Sequence, residues 1–286
     1  MKLAILDISG SIEQAVELAP YAESLGYRRW WIAEHQPQAT PMLSVALVAG
    51  VTDELRVGTA GILLHYYPTQ RTAHDFQFLE RAYDGRIDAG FCAGLDTRLE
   101  PEELDGVEIN AVMAKYYERA TRLVRHLRNV PGDPEFDPAT AWPDAPESPP
   151  MIWSLGGTLR SAEFAARNGL SYAYSLLYPK SFEDPEPLQR YRESFVPVRS
   201  QAAPWSSLAV CAICTETAAE AQTLAASVTG AFFTARVIGD AETCLAQLAA
   251  LQARYAPDEI VIATLGLEFP ARKRCLELLA PAIGAP

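Results

Sequence analysis

The sequence lacks any long apolar run of the kind found in signal peptides and membrane spans. Its first segment, Met1–Asp7, is short and carries a charge at position 7, which fits neither kind of element. We therefore expect a cytoplasmic protein. Basic residues are also scarce, since 24 Lys and Arg stand against 36 Asp and Glu, for a net charge of −12. This balance disfavours nucleic acid and anionic membranes as partners, because both require clustered Lys and Arg.

Cysteine is sparse as well, with five residues and no second C-x-x-C pair. An odd, scattered set in a chain without an export signal argues against a disulfide framework. Cys211 and Cys214 have metal-ligand spacing, but they lie in an apolar run with no nearby histidine. We expect buried packing there and no bound metal. A G-x-G-x-x-G fingerprint is also missing around Gly156, so tight binding of NADPH is not expected.

What the sequence does contain is a regular alternation of short apolar runs and longer helical patterns. The apolar runs predict strands at Lys2–Ile8, Arg29–Ala33, Leu55–Leu64, Arg86–Cys92, Met151–Leu155, Leu170–Ser175, Leu208–Cys214 and Glu259–Thr264. The helical patterns lie near Ile12–Leu25, Pro41–Thr52, Thr69–Tyr83, Ile109–Arg128, Leu159–Asn168, Pro185–Phe195, Ala218–Val228, Ala241–Tyr255 and Arg272–Leu279. Eight strands interleaved with helices predict an α/β protein, a single (β/α)8 TIM barrel spanning residues 1–286.

Two segments depart from this alternation. Val130–Pro150 is rich in proline and acidic residues and reads as a long surface excursion. Thr229–Asp240 is shorter, and both segments are candidates for a lid over the active site. Because substrate groups in this fold come from variable loops, the sequence does not identify the substrate.

The most informative stretch is Trp30–His35, in which a buried strand ends in the adjacent pair Glu34 and His35. Polar groups at the C-terminal end of a buried strand are costly unless they are paired or used. In a βα barrel this end is the catalytic rim.

Five blocks in a fixed order give the chain a resemblance to the bacterial luciferase-like family of flavin-dependent oxidoreductases. The blocks are Ala22–Tyr27 with Ile32–His35, Arg56–Gly61, Phe78–Glu80 with Asp84–Gly90, Trp153–Ser175, and Ile238–Thr243. The resemblance implies FMN at the C-terminal rim and monooxygenase chemistry with O2 on a small organic, small-molecule substrate. A place in secondary metabolism is a further expectation. The resemblance also implies reduced FMN supplied by a separate flavin reductase, and a homodimer.

Several roles follow from the resemblance residue by residue. His35 matches a histidine near the flavin that acts as an acid or base, a task suited to a group that titrates near neutral pH. The alternative is a structural histidine paired with Glu34. Gln36 stands where the family often has a second histidine. Cys92 matches a reactive cysteine near the flavin, although a cysteine ending a buried strand is often inert packing.

The turn Gly156-Gly157-Thr158 opens a predicted helix that also contains Ser161. Small residues let the backbone approach a phosphate, and the free amides of a helix start bind it. The resemblance implies hydroxyl contacts from Thr158 and Ser161. The alternative is an ordinary turn in which Thr158 caps the helix.

Other cofactor contacts are implied as well. Gly58, Thr59 and Ala60 match the place where the isoalloxazine ring rests, although a tightly packed barrel layer explains small residues equally well. Tyr174 is a further cofactor contact. The main departure is Ala93, which stands where the family often has a phosphate-pairing arginine. The candidates to replace that arginine are Arg98 and Arg160.

Two alternatives stay open. The same barrel can use a deazaflavin coenzyme, or act as a flavin-dependent reductase or dehydrogenase without oxygen. It can also be a non-catalytic flavin-binding protein, which the residues Ala93 and Gln36 favour and His35 opposes.

Overall fold

The computed structural model describes residues 1–34, 40–94, 109–179, 181, 183–228 and 232–284. The strands in these ranges are β1 Leu3–Asp7, β2 Arg29–Ile32, β3 Arg56–Thr59, β4 Ile62–Leu63, β5 Ile87–Cys92, β6 Met151–Gly156, β7 Ser171–Ser175, β8 Ser206–Cys214, β9 Ala235–Gly239 and β10 Glu259–Thr264. The α-helices are α1 Ile12–Ser24, α2 Pro41–Gly50, α3 Thr69–Ala82, α4 Ile109–Arg128, α5 Leu159–Arg167, α6 Glu186–Glu193, α7 Ala218–Ser227, α8 Ala241–Tyr255 and α9 Phe269–Leu279.

The sheet closes on itself in the order β1-β2-β3-β5-β6-β7-β8-β10, with β10 paired back to β1. Each of these pairings is parallel, so the eight strands form the predicted TIM barrel. β4 follows β3 after a cis peptide bond between Ala60 and Gly61, and it pairs with β5. The predicted strand Leu55–Leu64 is therefore interrupted at this bond.

Alternate residues of each strand face two separate cores, which explains why the strands are apolar almost throughout. Trp31 and Trp153 point into the barrel, where their rings meet edge to face with centroids 5.1 Å apart. Trp30 and Tyr172 point outward and pack in the layer between sheet and helices.

The two lid candidates lie at different ends of the barrel. Val130–Pro150 links the end of α4 to the start of β6. Because α4 runs back from the rim, this segment lies at the opposite end of the barrel, where Asp144 pairs with Arg81. The prediction of a lid is therefore wrong for this segment. In the second candidate, Ala235–Gly239 is strand β9, paired to the C-terminal part of β8.

Among the described residues, every helix is too short or too polar to cross a bilayer. The same residues contain no cluster of three or more His, Cys, Asp or Glu side chains arranged to hold a metal ion.

Candidate active site

The N-terminal end of the barrel is closed by a buried ion-pair network. Arg29 donates from Nε to Oδ2 of Asp88 over 2.6 Å and also pairs with Glu259. Its guanidinium carbon lies 4.9 Å from the ring centroid of Trp153. Burial opposes the charge on Asp88, but Arg29 and Arg56 hold the pKa of this carboxyl below its ordinary value. With this end sealed, the C-terminal rim is the end at which a ligand can enter the barrel.

At that rim, small and apolar side chains form what we call the floor. Strand alternation turns Ala33, Ala60, Cys92, Leu155 and Leu265 inward just above the Trp31–Trp153 layer. The floor therefore offers apolar, flat contact and little hydrogen bonding. Small, apolar side chains of this kind suit contact with the face of a planar heterocycle.

Glu34 holds the end of β2 to the neighbouring strand. One carboxylate oxygen accepts a hydrogen bond from the Leu63 amide and the other from the Tyr67 hydroxyl, each at 2.6 Å. Burial and the bond to Glu34 raise the pKa of Tyr67 to about 12. His35 and Gln36, like Arg98, lie outside the described residues, so the predicted role of His35 stays a prediction from sequence.

Cys92 lies at the rim beside the Ala60–Gly61 peptide. Its Sγ is 3.6 Å from the Gly61 carbonyl oxygen. Burial raises the pKa of the thiol to about 11. The thiol is therefore protonated at neutral pH, which suits contact with a ligand better than nucleophilic attack.

The three residues predicted to support the ring differ in what they face. A Cβ at Gly58 would lie 2.8 Å from the Trp31 ring, so the packed barrel interior accounts for glycine there. Thr59 points outward, and its hydroxyl donates to the Gly90 carbonyl over 2.6 Å. Ala60 alone presents its side chain to the floor.

The turn between β6 and α5 is a capping box that uses both predicted hydroxyls. Thr158 Oγ1 accepts from the Ser161 amide, and Ser161 Oγ accepts from the Thr158 amide. Ser161 Oγ also donates to the Thr158 carbonyl at 2.7 Å and lies 3.0 Å from the Tyr172 hydroxyl. A Cβ at Gly156 would lie 2.5 Å from Ser161 Oγ, so glycine is required there. Tyr172, which sequence reasoning missed, completes this network.

Because both hydroxyls are occupied, this turn offers a ligand its backbone groups. A Cβ at Gly157 would meet only the Ser175 carbonyl, at 3.6 Å, so the chain is open on that side. Within the described ranges, the amides of Leu159 and Arg160 have no acceptor, as expected for a helix start. These residues fit a phosphate group held by amides rather than by hydroxyls.

Arg160 and Ala93 are the two described positions that the sequence analysis linked to a cation for the phosphate. The Arg160 guanidinium lies 4.8 Å from the ring centroid of Tyr117, on the side facing α4. The pairing of Phe91 with Ser154 places Ala93 level with Gly156 on the adjacent strand. A side chain at position 93 is therefore at the height of the turn.

Tyr174 does not lie on the floor. Its ring is buried in the outer layer, with its centroid 6.2 Å from that of Tyr255. Burial raises the pKa of its hydroxyl to about 12. On β7 it is Ala173 that faces the barrel interior, so Tyr174 is not retained among the proposed cofactor contacts.

A cluster of three aromatic residues at the rim was also missed from the sequence. Tyr178 follows β7, and Phe232 and Phe233 precede β9. Their ring centroids are 5.0 to 5.7 Å apart. We call this cluster the aromatic wall. The adjacent phenylalanines 232 and 233 are visible in the sequence. Their position at the rim depends on β9, which the sequence pattern did not predict.

Comparisons with known proteins agree with this architecture. YceB of Bacillus subtilis is 31% identical over 236 residues, which are 76% of this chain and 67% of that protein. N-acetyl-S-alkylcysteine monooxygenase of the same organism is 27% identical over 217 residues, 71% of this chain and 65% of that protein. The chain thus spans about two thirds of the length of these relatives.

Solved structures cover the chain more completely. Apo-MsnO8 aligns with a TM-score of 0.82 and 25% identity over 98% of both chains. The oxygenating constituent of 3,6-diketocamphane monooxygenase from Pseudomonas putida, in complex with FMN, gives a TM-score of 0.69 at 16% identity, covering 100% of this chain and 99% of that one. Coenzyme F420 dependent tetrahydromethanopterin reductase from Methanopyrus kandleri gives 0.69 at 13%, covering 99% and 98%. The last two show the fold alone.

The family described as luciferase-like monooxygenase matches residues 4–263, which is most of the chain. The sequence blocks, the closed barrel and this match agree: the chain belongs to the luciferase-like monooxygenase family of flavin-dependent oxidoreductases.

Proposed function

We propose that the protein is an FMN-dependent monooxygenase that receives reduced FMN from a separate flavin reductase and oxidises a small organic substrate with O2. The observation that carries the proposal is the apolar floor beside the turn between β6 and α5, where the amides of Leu159 and Arg160 have no acceptor among the described residues. Bound FMN would supply the electrons and the site of oxygen activation. Cytoplasmic location and a place in secondary metabolism stay predictions.

The chain's own residues divide the remaining tasks. Ala60 and Cys92 provide apolar contact for the ring, while the amides of Leu159 and Arg160 bind the phosphate at the positive end of α5. Glu34 fixes the end of β2, directly before His35 in the chain. We assign His35, from its sequence match, the transfer of a proton at the reacting centre.

The test is a titration of the purified protein with FMN and with riboflavin, followed by flavin absorbance and fluorescence. If the turn binds the phosphate, FMN should bind at least tenfold more tightly than riboflavin, since a charge-assisted hydrogen bond contributes roughly 1.5–3 kcal/mol. Equal affinities would reject the assignment of the turn. As a matched control, Arg167→Ala lies on the same helix away from the turn and should leave the ratio unchanged.

A second candidate is a reductase or dehydrogenase of the same fold that transfers a hydride with a deazaflavin coenzyme and without oxygen. Its support is the shared fold with the coenzyme F420 dependent reductase. Oxidation of reduced deazaflavin, but not of reduced FMN, by the purified protein would favour it. Tight FMN binding without turnover of any reduced cofactor would instead favour the non-catalytic reading.

We further propose a homodimer. Leu43 and Leu47 lie on one face of α2, and Val51, directly after the helix, continues that face. Each of the three side chains is more than two-fifths exposed. An apolar face of this kind is typical of an interface. Light scattering should give twice the chain mass, and Leu47→Lys should shift the species toward monomer. A monomeric wild-type protein at tens of micromolar would reject the dimer.

A further inference from the structure

We propose that the aromatic wall of Tyr178, Phe232 and Phe233 binds a planar, uncharged aromatic ring of the substrate beside the floor. The assignment to the substrate rests on the proposed function. The aromatic binding itself rests on geometry alone.

The wall leaves a large aromatic surface uncovered. Phe232 is 63% exposed and Tyr178 is 41% exposed. Tyr178 meets Phe232 edge to face, with ring planes 79° apart, and Phe232 meets Phe233 at 73°. This arrangement leaves ring faces and edges available to a further ring, which aromatic pairs accept at centroid distances of about 4.5–7 Å.

The wall faces the mouth of the barrel. Phe233 packs against the inward-facing core, which includes Leu177 and Cys211. The register pairs Ala235 of β9 with Cys211, an inward-facing residue of β8, so the segment just before β9 lies beside the barrel interior.

The wall is held in place by β9. The Thr234 amide donates to the Leu177 carbonyl over 2.7 Å. Arg236 donates from Nε to the Leu176 carbonyl at 3.3 Å and from Nη2 to the Tyr178 carbonyl at 3.2 Å. Because the backbone is fastened on both sides, the exposed rings are preorganised. Preorganisation reduces the ordering cost of binding.

The chemistry of the wall selects the occupant. Arg236 lies directly beside it, but this guanidinium is paired with Glu183 and with carbonyl oxygens. The three rings themselves carry no charge. A flat aromatic ring gains edge and face contacts here that a saturated ring of equal size does not, and a charged ligand finds no free counter-ion among these residues.

The test uses 2-naphthol as the probe and decahydro-2-naphthol as its saturated counterpart. Their dissociation constants are measured calorimetrically on the purified protein, with and without FMN. The variants Phe232→Leu and Tyr178→Leu keep apolar bulk and remove the ring. Phe78→Leu is the matched control, because Phe78 on α3 beside Trp142 is 56% exposed, between the values of the two wall residues.

We expect the wild-type protein to prefer 2-naphthol at least fivefold, and both wall variants to reduce this preference below twofold. FMN affinity should stay within twofold in both, and Phe78→Leu should behave as wild type. No preference in the wild-type protein, or one that survives in both variants, overturns the proposal. Weaker FMN binding in the variants also overturns it, since the wall would then contact the cofactor. A wild-type protein that prefers 2-naphthol but fails to bind FMN supports the wall and rejects the flavin proposal.

Discussion

Arg29 and Asp88 form a hydrogen-bonded ion pair inside the barrel, with side chains only 5% and 0% exposed. The pair sits under Trp31 and Trp153, the layer that separates it from the rim. Asp88 also accepts from Arg56 and from the Trp153 indole. One carboxylate on β5 thus joins its own strand to β2, β3 and β6, and it fixes the height of the tryptophan layer on which the floor rests.

Asp88→Asn should lower the free energy of unfolding by roughly 3–5 kcal/mol, because it leaves the Arg29 charge buried with one partner fewer. Urea unfolding measures this. Because the folded pKa of Asp88 is depressed, its contribution is present above its ordinary pKa of ~3.9 and disappears as the pH falls through the folded value. Glu54→Gln, at the exposed pair with Arg28, is the control and should change nothing measurable. Equal behaviour of the two variants would contradict this account.

Glu80 should make stability depend on pH in the opposite direction. Burial raises the pKa of its carboxyl to about 7, although one oxygen accepts from the Ile87 amide at 2.9 Å. The folded state therefore holds a proton that the unfolded state releases near pH 4.5. The resulting stabilisation is complete below that pH and is lost as the pH rises through about 7, by about 3 kcal/mol in total.

Glu80→Gln keeps an acceptor for the Ile87 amide and removes the titration. Urea unfolding between pH 5 and pH 8 should show a flatter profile for this variant than for the wild-type protein. The exposed Glu118 on α4 supplies the control, since Glu118→Gln should retain the wild-type slope. An unchanged slope in Glu80→Gln would show that other groups cause the pH dependence.

The barrel was predictable because its signals are local and repeated. Each buried strand followed by a capped helix leaves a pattern of apolar runs and Ser, Thr or Asp caps, such as Thr158 before α5 and Asp240 before α8. β9 was missed because it is an extra strand beside β8, short and interrupted by Arg236. The lid prediction for Val130–Pro150 failed because composition shows a loop but not the end of the barrel at which it lies.

Site prediction depended on which way side chains point. Sequence matching placed Thr59 and Tyr174 near a cofactor, yet strand alternation turns both outward. It also matched the hydroxyls of Thr158 and Ser161 to cofactor contacts and left a capping role for Thr158 as the alternative; in the structure a capping box and Tyr172 occupy both hydroxyls. Partners such as Tyr172 come from a different strand, so no spacing within the turn could have indicated them.

Cys92 should behave as an unreactive thiol at neutral pH. With a pKa of about 11, its thiolate fraction at pH 8 is roughly a thousandth, compared with about a quarter for a free cysteine. Alkylation by iodoacetamide, followed by mass spectrometry, should be correspondingly slow and rise about tenfold per pH unit. Cys92→Ala should retain turnover. Rapid, pH-independent labelling at pH 7, or loss of turnover in a folded variant, would return Cys92 to the mechanism.

Ala93→Arg should tighten FMN binding about tenfold. Position 93 is level with the glycine turn, so a guanidinium there can reach a phosphate bound by the amides of α5. Ala93→Gln adds comparable bulk without charge and should not tighten binding. Riboflavin, which lacks the phosphate, should bind both variants equally. A gain for riboflavin as well as FMN would mean that the arginine acts on the ring and not on the phosphate.

His35 is the residue whose role the sequence supports most directly, and its test must separate chemistry from structure. His35→Asn keeps a hydrogen-bonding side chain of similar size but does not titrate near neutral pH. If His35 transfers a proton, turnover should fall by roughly 10²–10⁴ while folding and FMN affinity stay near wild type. The pH profile of the variant should also lack the limb that a titrating imidazole gives to the wild-type profile.

The measurement is stopped-flow reoxidation of the reduced FMN complex by O2, with and without 2-naphthol. The companion variant is Glu34→Gln, which weakens the carboxylate's bonds to the Leu63 amide and the Tyr67 hydroxyl. We expect that change to lower stability, because those bonds hold β2 to β4, and to leave the pH profile of turnover in place. If His35→Asn instead lowers stability as Glu34→Gln does and reacts at the wild-type rate, His35 supports the end of β2 and a different group moves the proton.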